Sequence, residues 1–526
     1  MPEYRFVVQS GRKLSHREQQ ISSSQTKAHA ARVAHQRRVV RVQEASALTV
    51  AKRICVTEYQ DEGREQDSRL QDQHESTSLM LYKGNSDPFG AAVATEVTPR
   101  INQILTFLQD TYIPNTYPGS PSWVRSFTCG RFFKDQARLM LSEAPAFCET
   151  LPYLTMLASN SGSQALEREA MSTQLQIIQK TRQAVSSNSE ANQQHLLLFT
   201  KSLFGAAMIE QDMRAASSHA RVLSHLLQRH LDAGTWRSLP VDLVTNCLFF
   251  ILNHSQMMLR KSVLEIDTWA DLYIQHAARP VVEYLAPLHS WFDNRLDPCL
   301  SNSHLRQDYR AMYETVWLWS QETRPSPAIS QDALNQYCGL QHNVVSIRLV
   351  NHFVHFTDQL SRATSLGMPP RREAHLVCQA ILALSLLAFL ATFVGNPKMG
   401  TRYIWRKHGM FLTRLQLLLM SRLRDGGLLL GEGEFGFEYR HALLWAYWAG
   451  ATWEHREREA DTNPVHGWFN TRFAKQCQVM GLKSWEQVET VLNGFALARL
   501  AQPPGSTWVG VLLVETWPSK DSNRFN

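Results

Sequence analysis

The 526-residue sequence predicts an all-α protein: a large helical domain preceded by a disordered basic N-terminal arm. Three observations carry that expectation. Gly and Pro number 25 and 21, about 9% of the chain against an ordinary share of ~12%, too few for a many-turned β architecture or a linker-rich one. From residue 98 onward apolar residues recur at helical spacing almost throughout. The positive charge is gathered at one end: residues 1–56 hold eleven basic and three acidic side chains, a net +8, which leaves −1 for the other 470 residues.

The arm comes first. Residues 57–76 reverse its sign with seven acids and two arginines, and the whole stretch is poor in apolar residues. Such a segment buries too little to offset its ordering entropy, so 1–84 is expected to be a disordered basic arm with an acidic linker. Asn85-Ser86-Asp87-Pro88 supplies turn chemistry where order should begin. Within the arm, Thr26 to Val42 (TKAHAARVAHQRRVVRV) has good helix formers and neither Gly nor Pro. Lys27, Arg32, Arg37, Arg38 and Arg41 are the candidate contacts to nucleic acid or to an import receptor, because phosphate neutralisation dominates sequence-independent binding. Arg12-Lys13 and Arg37-Arg38 are short basic clusters of the nuclear-import kind. The competing reading is a solvated basic tail with no dedicated ligand.

The body, 85–500, is expected to be one helical domain. Ile101, Ile104, Leu105 and Leu108 form a single stripe at i, i+3, i+4, i+7. Polar breaks at 159–163, 186–192, 323–330, 366–371, 425–436 and 457–467 separate helical blocks. Leu376 to Val394 has no charge and is long enough to span a bilayer, but it stands alone between similar helical blocks. A core helix buried on every side is the expected outcome, and no membrane partner. Ser484-Trp485-Glu486-Gln487 is a capping box, followed by Val488, Val491, Leu492 and Phe495 on one face. Residues 501–526 are expected to be an extended tail, with WVGVLLVETW (508–517) as its one strand-like run.

Catalytic and metal chemistry leaves little trace. The eight cysteines are dispersed with no C-x-x-C, which points to reduced core residues and gives no structural zinc site. His219, His225 and His230 are spaced by six and five, off any common helical face, and read as surface or capping residues. A literal G-x-G-x-x-G at Gly431–Gly436 lacks the strand before it and carries two glutamates that would repel a pyrophosphate, so it reads as an inter-helix loop. No catalytic residue, metal ligand or cofactor is assigned, and the protein is expected not to be an enzyme.

Several short motifs, in order, resemble the fungal-specific transcription-factor-domain group, the helical regulatory body usually found behind a six-cysteine zinc cluster. Thr26 to Arg32 (TKAHAAR), with His35 and Arg37-Arg38, is similar to that group's I-R-S-H-V-M-R arm. Asp87-Pro88-Phe89 followed by Leu105 and Tyr112 resembles its D-P-F entry, and His219 to Leu223 its histidine-led helix. Leu443-Leu444-Trp445-Ala446, Trp468-Phe469, Leu482, Ser484-Trp485-Glu486 and Leu492 resemble its L-L-W-A…W-F…L-x-S-W-E…L series. The resemblance implies a nuclear, transcription-related fungal protein with an all-helical body, a metabolic pathway being the kind of target. Its partners would be DNA through the basic arm, and other regulators or a second copy of itself. The six clustered cysteines are missing, so zinc-dependent base readout does not carry over. A helical interaction protein or cofactor of such regulators is the alternative; an enzyme or membrane-associated protein is the third reading.

Overall fold

The computed structural model describes residues 99–108, 146–187, 191–320, 329–366, 368–393, 410–420, 438–458, 467–500 and 505–516. The chain divides into units 1–87 and 88–526, and everything described belongs to the second. The arm 1–84 with Lys27, Arg32, Arg37, Arg38 and Arg41, the Asp87–Phe89 entry, Tyr112 and the glycines of 431–436 lie outside the described residues.

Among the described residues every regular element is a helix, as the periodicity predicts. In chain order, α1 is Pro99–Phe107, α2 Thr150–Ser161, α3 Gln164–Ser187, α4 Ala191–Ile209, α5 Met213–Asp232 and α6 Val241–Met258. Three short helices follow: α7 (Ala270–Ala277), α8 (Arg279–Leu285) and α9 (His289–Asp293). Then come α10 (Ser303–Ser320), α11 (Gln331–Leu366) and α12 (Pro370–Phe393). Met410–Met420 forms α13. The last four are α14 (Arg440–Arg458), α15 (Trp468–Val479), α16 (Trp485–Leu492) and α17 (Gly505–Thr516).

The polar breaks set the helix ends. Gly162 takes the left-handed conformation at φ 65° that closes α2, and α3 starts two residues later. Pro370 opens α12 in the first helical turn, where its missing N–H costs nothing. At α16 the Ser484 hydroxyl accepts from the Gln487 amide, while the Gln487 side chain reaches back to the amide of Lys483 at 2.6 Å, one residue before the expected target.

Packing follows the apolar stripes. α1 turns Ile104 and Leu105, with Leu108 just past its end, into a smaller core with Leu151, Leu154, Leu166, Ile177, Phe199 and Leu203. The larger core takes in α5 through α17. Helix α4 serves both: Phe199 and Leu203 face the smaller core, Leu197, Phe204 and Met208 the larger, which is why α4 is apolar around most of its circumference. At the centre of the larger core, α12 is buried at every residue from Leu376 to Leu390, packed on α11 and α14. By length and composition α12 could cross a membrane; here protein side chains cover it.

Two expectations need correction. The run after Pro503-Pro504 is the helix α17 and no extended tail or strand over 505–516. Gly505, Trp508, Val509 and Leu513 are buried and Leu512 half-buried, a 3.6-residue stripe, while Thr507, Gly510 and Val511 face outward. The valines and tryptophan imitate a strand by composition, but a short apolar run does not distinguish the two, and the stripe decides. Gly505 also touches the Trp485 ring so closely that a Cβ would overlap it, which seats α17 on α16. Secondly, His230 is buried and no surface residue: its Nδ1 pairs with Thr235 Oγ1 at 2.9 Å just past the end of α5. His225 is exposed and His219 half-buried.

Candidate functional site

The described body carries four clusters of ionisable side chains, each assembled from distant parts of the chain. The most buried joins Glu149, in the 3-10 turn before α2, to Lys201 in the middle of α4 at 2.5 Å, both side chains 3% exposed. Glu149 Oε1 takes no hydrogen bond from the described residues. Burial works against the Lys201 charge, yet the charge and hydrogen bond of Glu149 hold its pKa above the usual lysine value. Burial pushes the neighbouring Cys148 and Cys247 thiols up to about 12, so neither is a thiolate near neutrality.

A second cluster binds α11 to α7 and α10. Arg348 makes a bidentate pair with Asp271 at 3.1 Å and reaches Asp267 at 2.8 Å, and His352 one turn on pairs with the buried Asp308 at 3.0 Å. In a third, His441 of α14 pairs with Asp297 at 2.7 Å, and Asp297 also accepts from the Cys299 amide at 2.9 Å. Burial opposes the Asp297 charge, but these hydrogen bonds hold its carboxyl below the usual range. The Cys299 thiol is held well above its ordinary value, first by its hydrogen bond with the Cys378 thiol, then by burial. Arg306 ties this loop down by donating to the carbonyls of Asp293 (2.6 Å) and Asp297 (3.3 Å).

The fourth cluster surrounds Glu314 on α10. Tyr337 donates to it at 3.3 Å, while Arg310 and His289 approach its other oxygen at 3.5 Å each. Burial raises the Glu314 carboxyl to about 7, with Arg310 opposing. The same burial, with Arg310 beside it, lowers His289. A carboxyl raised in the folded state binds its proton more tightly there than in the unfolded chain. It therefore favours folding fully below about pH 4.5, and that contribution is lost as pH rises through about 7. Glu314→Gln, which mimics the protonated form, is expected to raise stability at pH 8 by about 1–3 kcal/mol and to change little at pH 5. Urea midpoints of variant and wild type at the two pH values check this; an equal shift at both would remove the titration as its cause.

These clusters hold helices together. Each acid pairs with a base from another element, and no three His, Cys, Asp or Glu side chains among the described residues are placed to hold a metal ion. Cys338 and Cys477 are pushed up to about 12 by burial as well. The five basic candidates of the arm lie outside the described residues. Sequence reasoning singled out none of the four clusters, and separations such as 52 residues between Glu149 and Lys201 leave no local spacing to find.

The C-terminal series of the motifs, Leu443 to Leu492, packs in the C-terminal part of the larger core. Trp445 stacks on Phe495 with ring centroids 5.5 Å apart and on Trp448 at 5.4 Å, and its indole donates to Tyr309 at 3.1 Å. Gly450 lets α14 approach the Phe469 ring so closely that a Cβ would overlap it. Glu454 caps α15 from α14, accepting from the amides of Phe469 (3.1 Å) and Asn470 (3.0 Å). Trp445 and Phe469 of the series are thus packing groups of this core. Comparison with known proteins returns no matching family model, no similar curated protein and no similar solved structure. The motif series in the sequence is therefore the ground for any family reading.

Proposed function

We propose that this protein is a nuclear transcription regulator of a fungal pathway, working without a zinc-cluster DNA-binding module and touching DNA through its basic arm. The observation that carries the reading is the segregation of charge: +8 in residues 1–56 and −1 in everything after them. The ordered motif series supports it. An arm of this kind binds by releasing counterions from phosphate, so its contact is weak, tolerant of sequence and steep in salt.

Changing Lys27, Arg32, Arg37, Arg38 and Arg41 together to alanine removes about five phosphate contacts. The log–log salt slope of binding to a random duplex is then expected to fall by up to ~4 to 5. Fluorescence anisotropy across a salt series measures it. Sequence-specific binding by residues 85–526 alone would overturn the reading and move recognition into the helical body.

The second reading, a helical interaction protein or cofactor of such regulators, is favoured by the missing six-cysteine cluster. Absence of wild-type DNA binding near physiological salt selects it. A chromatin-occupancy map of the tagged protein, with its localisation, separates the two in cells.

A further inference from the structure

The two non-glycine residues with positive φ among the described residues, Gln211 (φ 61°) and Leu259 (φ 44°), stand at the same end of one helix pair. Gln211 precedes α5 and Leu259 follows α6. The pair runs antiparallel: Ser217, the fifth residue of α5, meets His254, the fifth from the end of α6, with Oγ and Nε2 2.9 Å apart. The left-handed region is costly for a branched side chain, and such outliers gather at binding sites. At Leu259 it turns the chain back on α6, so that the Arg260 amide donates to the Ser255 carbonyl at 3.2 Å. Arg260 thus starts beside the turn that carries His254. Arg221 lies one turn beyond Ser217 on the same face of α5.

Ser217 and His254 are half-buried, Arg221 and Arg260 exposed. The Ser217 hydroxyl donates to the Met213 carbonyl at 2.6 Å, so His254 Nε2 carries the proton it shares with Ser217 Oγ. Arg100, Arg279, Arg310 and Arg348 each face a carboxylate. No ion pair joins Arg221 or Arg260 among the described residues. Both bear instead on one ring: burial first, then the charges of Arg221 and Arg260, hold His254 below the usual histidine pKa.

We propose that Ser217, Arg221, His254 and Arg260 form a binding site for the phosphate monoester of a small molecule. Two guanidinium forks supply paired N–H donors and two positive charges, which balance a dianion. The serine hydroxyl turns from its own helix to a phosphate oxygen. A diester carries one charge and leaves one arginine uncompensated. A nucleic-acid strand needs cations spaced along its backbone, not gathered at one imidazole.

The site belongs to the described body, so its test is independent of the arm. Calorimetric titration of the full chain with phenyl phosphate, at fixed ionic strength, is expected to show one saturable site with Kd on the order of 1 mM. Arg221→Gln combined with Arg260→Gln should weaken it at least ~tenfold. Both side chains are exposed, so circular dichroism should be unchanged. Arg237→Gln removes an exposed arginine at the other end of the helix pair and should change Kd less than ~twofold. Dimethyl phosphate, a monoanionic diester, should bind at least ~tenfold more weakly than phenyl phosphate. Absence of wild-type binding up to tens of millimolar, or equal loss in the double variant and Arg237→Gln, would overturn the site. Inorganic phosphate binding more tightly than phenyl phosphate would overturn the monoester in favour of the free ion. A double variant that keeps phenyl phosphate binding but loses about two from the salt slope on a random duplex would give these arginines to nucleic acid instead.

Discussion

Replacing Lys201 by methionine is expected to lower the stability of the folded body by about 3–5 kcal/mol, because Glu149 is then left buried without its counter-charge. Removing both charges, as Lys201→Met with Glu149→Met, should restore most of that loss, since a buried ion pair and a packed apolar pair of similar volume are often nearly equal in stability. The sign of the Lys201 shift fixes the pH range. A lysine raised in the folded state contributes fully below its unfolded value of ~10.4 and loses that contribution only in stronger alkali, so the whole effect is present at pH 7. Urea unfolding with an unchanged slope measures it. A single variant within 1 kcal/mol (roughly the range of an exposed pair) would mean that the pair is solvated, and a double variant as weak as the single would mean that volume, not charge, is what the site needs.

Trp445→Ala is expected to cost about 3–5 kcal/mol as well, through a different term. The indole is fully buried between Phe389, Trp448 and Phe495, so its removal opens a cavity at the crossing of α12 and α14. Trp445→Phe keeps most of the volume and removes one neutral hydrogen bond to Tyr309, whose hydroxyl still donates to the Leu382 carbonyl at 2.7 Å. That variant should lose only about 1 kcal/mol. Equal losses in the two variants would assign the stability to the hydrogen bond and sink the cavity account.

The contrast between these two sites shows what was legible in the sequence. Ser161-Gly162, Ser187, Pro370 and Gly467 stand at helix ends because glycine, proline and serine act on their own backbone, so the breaks can be read locally. The burial of α12 from Leu376 to Leu390 was legible from an uncharged run that stands alone between similar helical blocks. The α17 helix was misread because Val509, Val511 and Val514 weigh toward strand by residue type, whereas its stripe becomes evident only once Trp485 of α16 is set against Gly505. The Glu149–Lys201 and Glu314–Tyr337 pairs were not legible at all. Each depends on two helices arriving at one place, and a carboxylate in a chain of 47 acids carries no local mark of that meeting. The basic arm was legible as charge, which needs no fold.

The burial of α12 has a consequence in time. Its first wall, α11, precedes it in the chain, but its second, α14, ends about 65 residues later. A ribosome adding some 5–20 residues per second needs roughly 3–13 s to supply that second wall. Until then the apolar run that follows Glu373 in α12, of membrane-spanning composition, lacks that second wall. The order in which this polypeptide emerges thus makes every molecule, during its own synthesis, briefly resemble cargo bound for a lipid bilayer, and the arrival of α14 ends the resemblance.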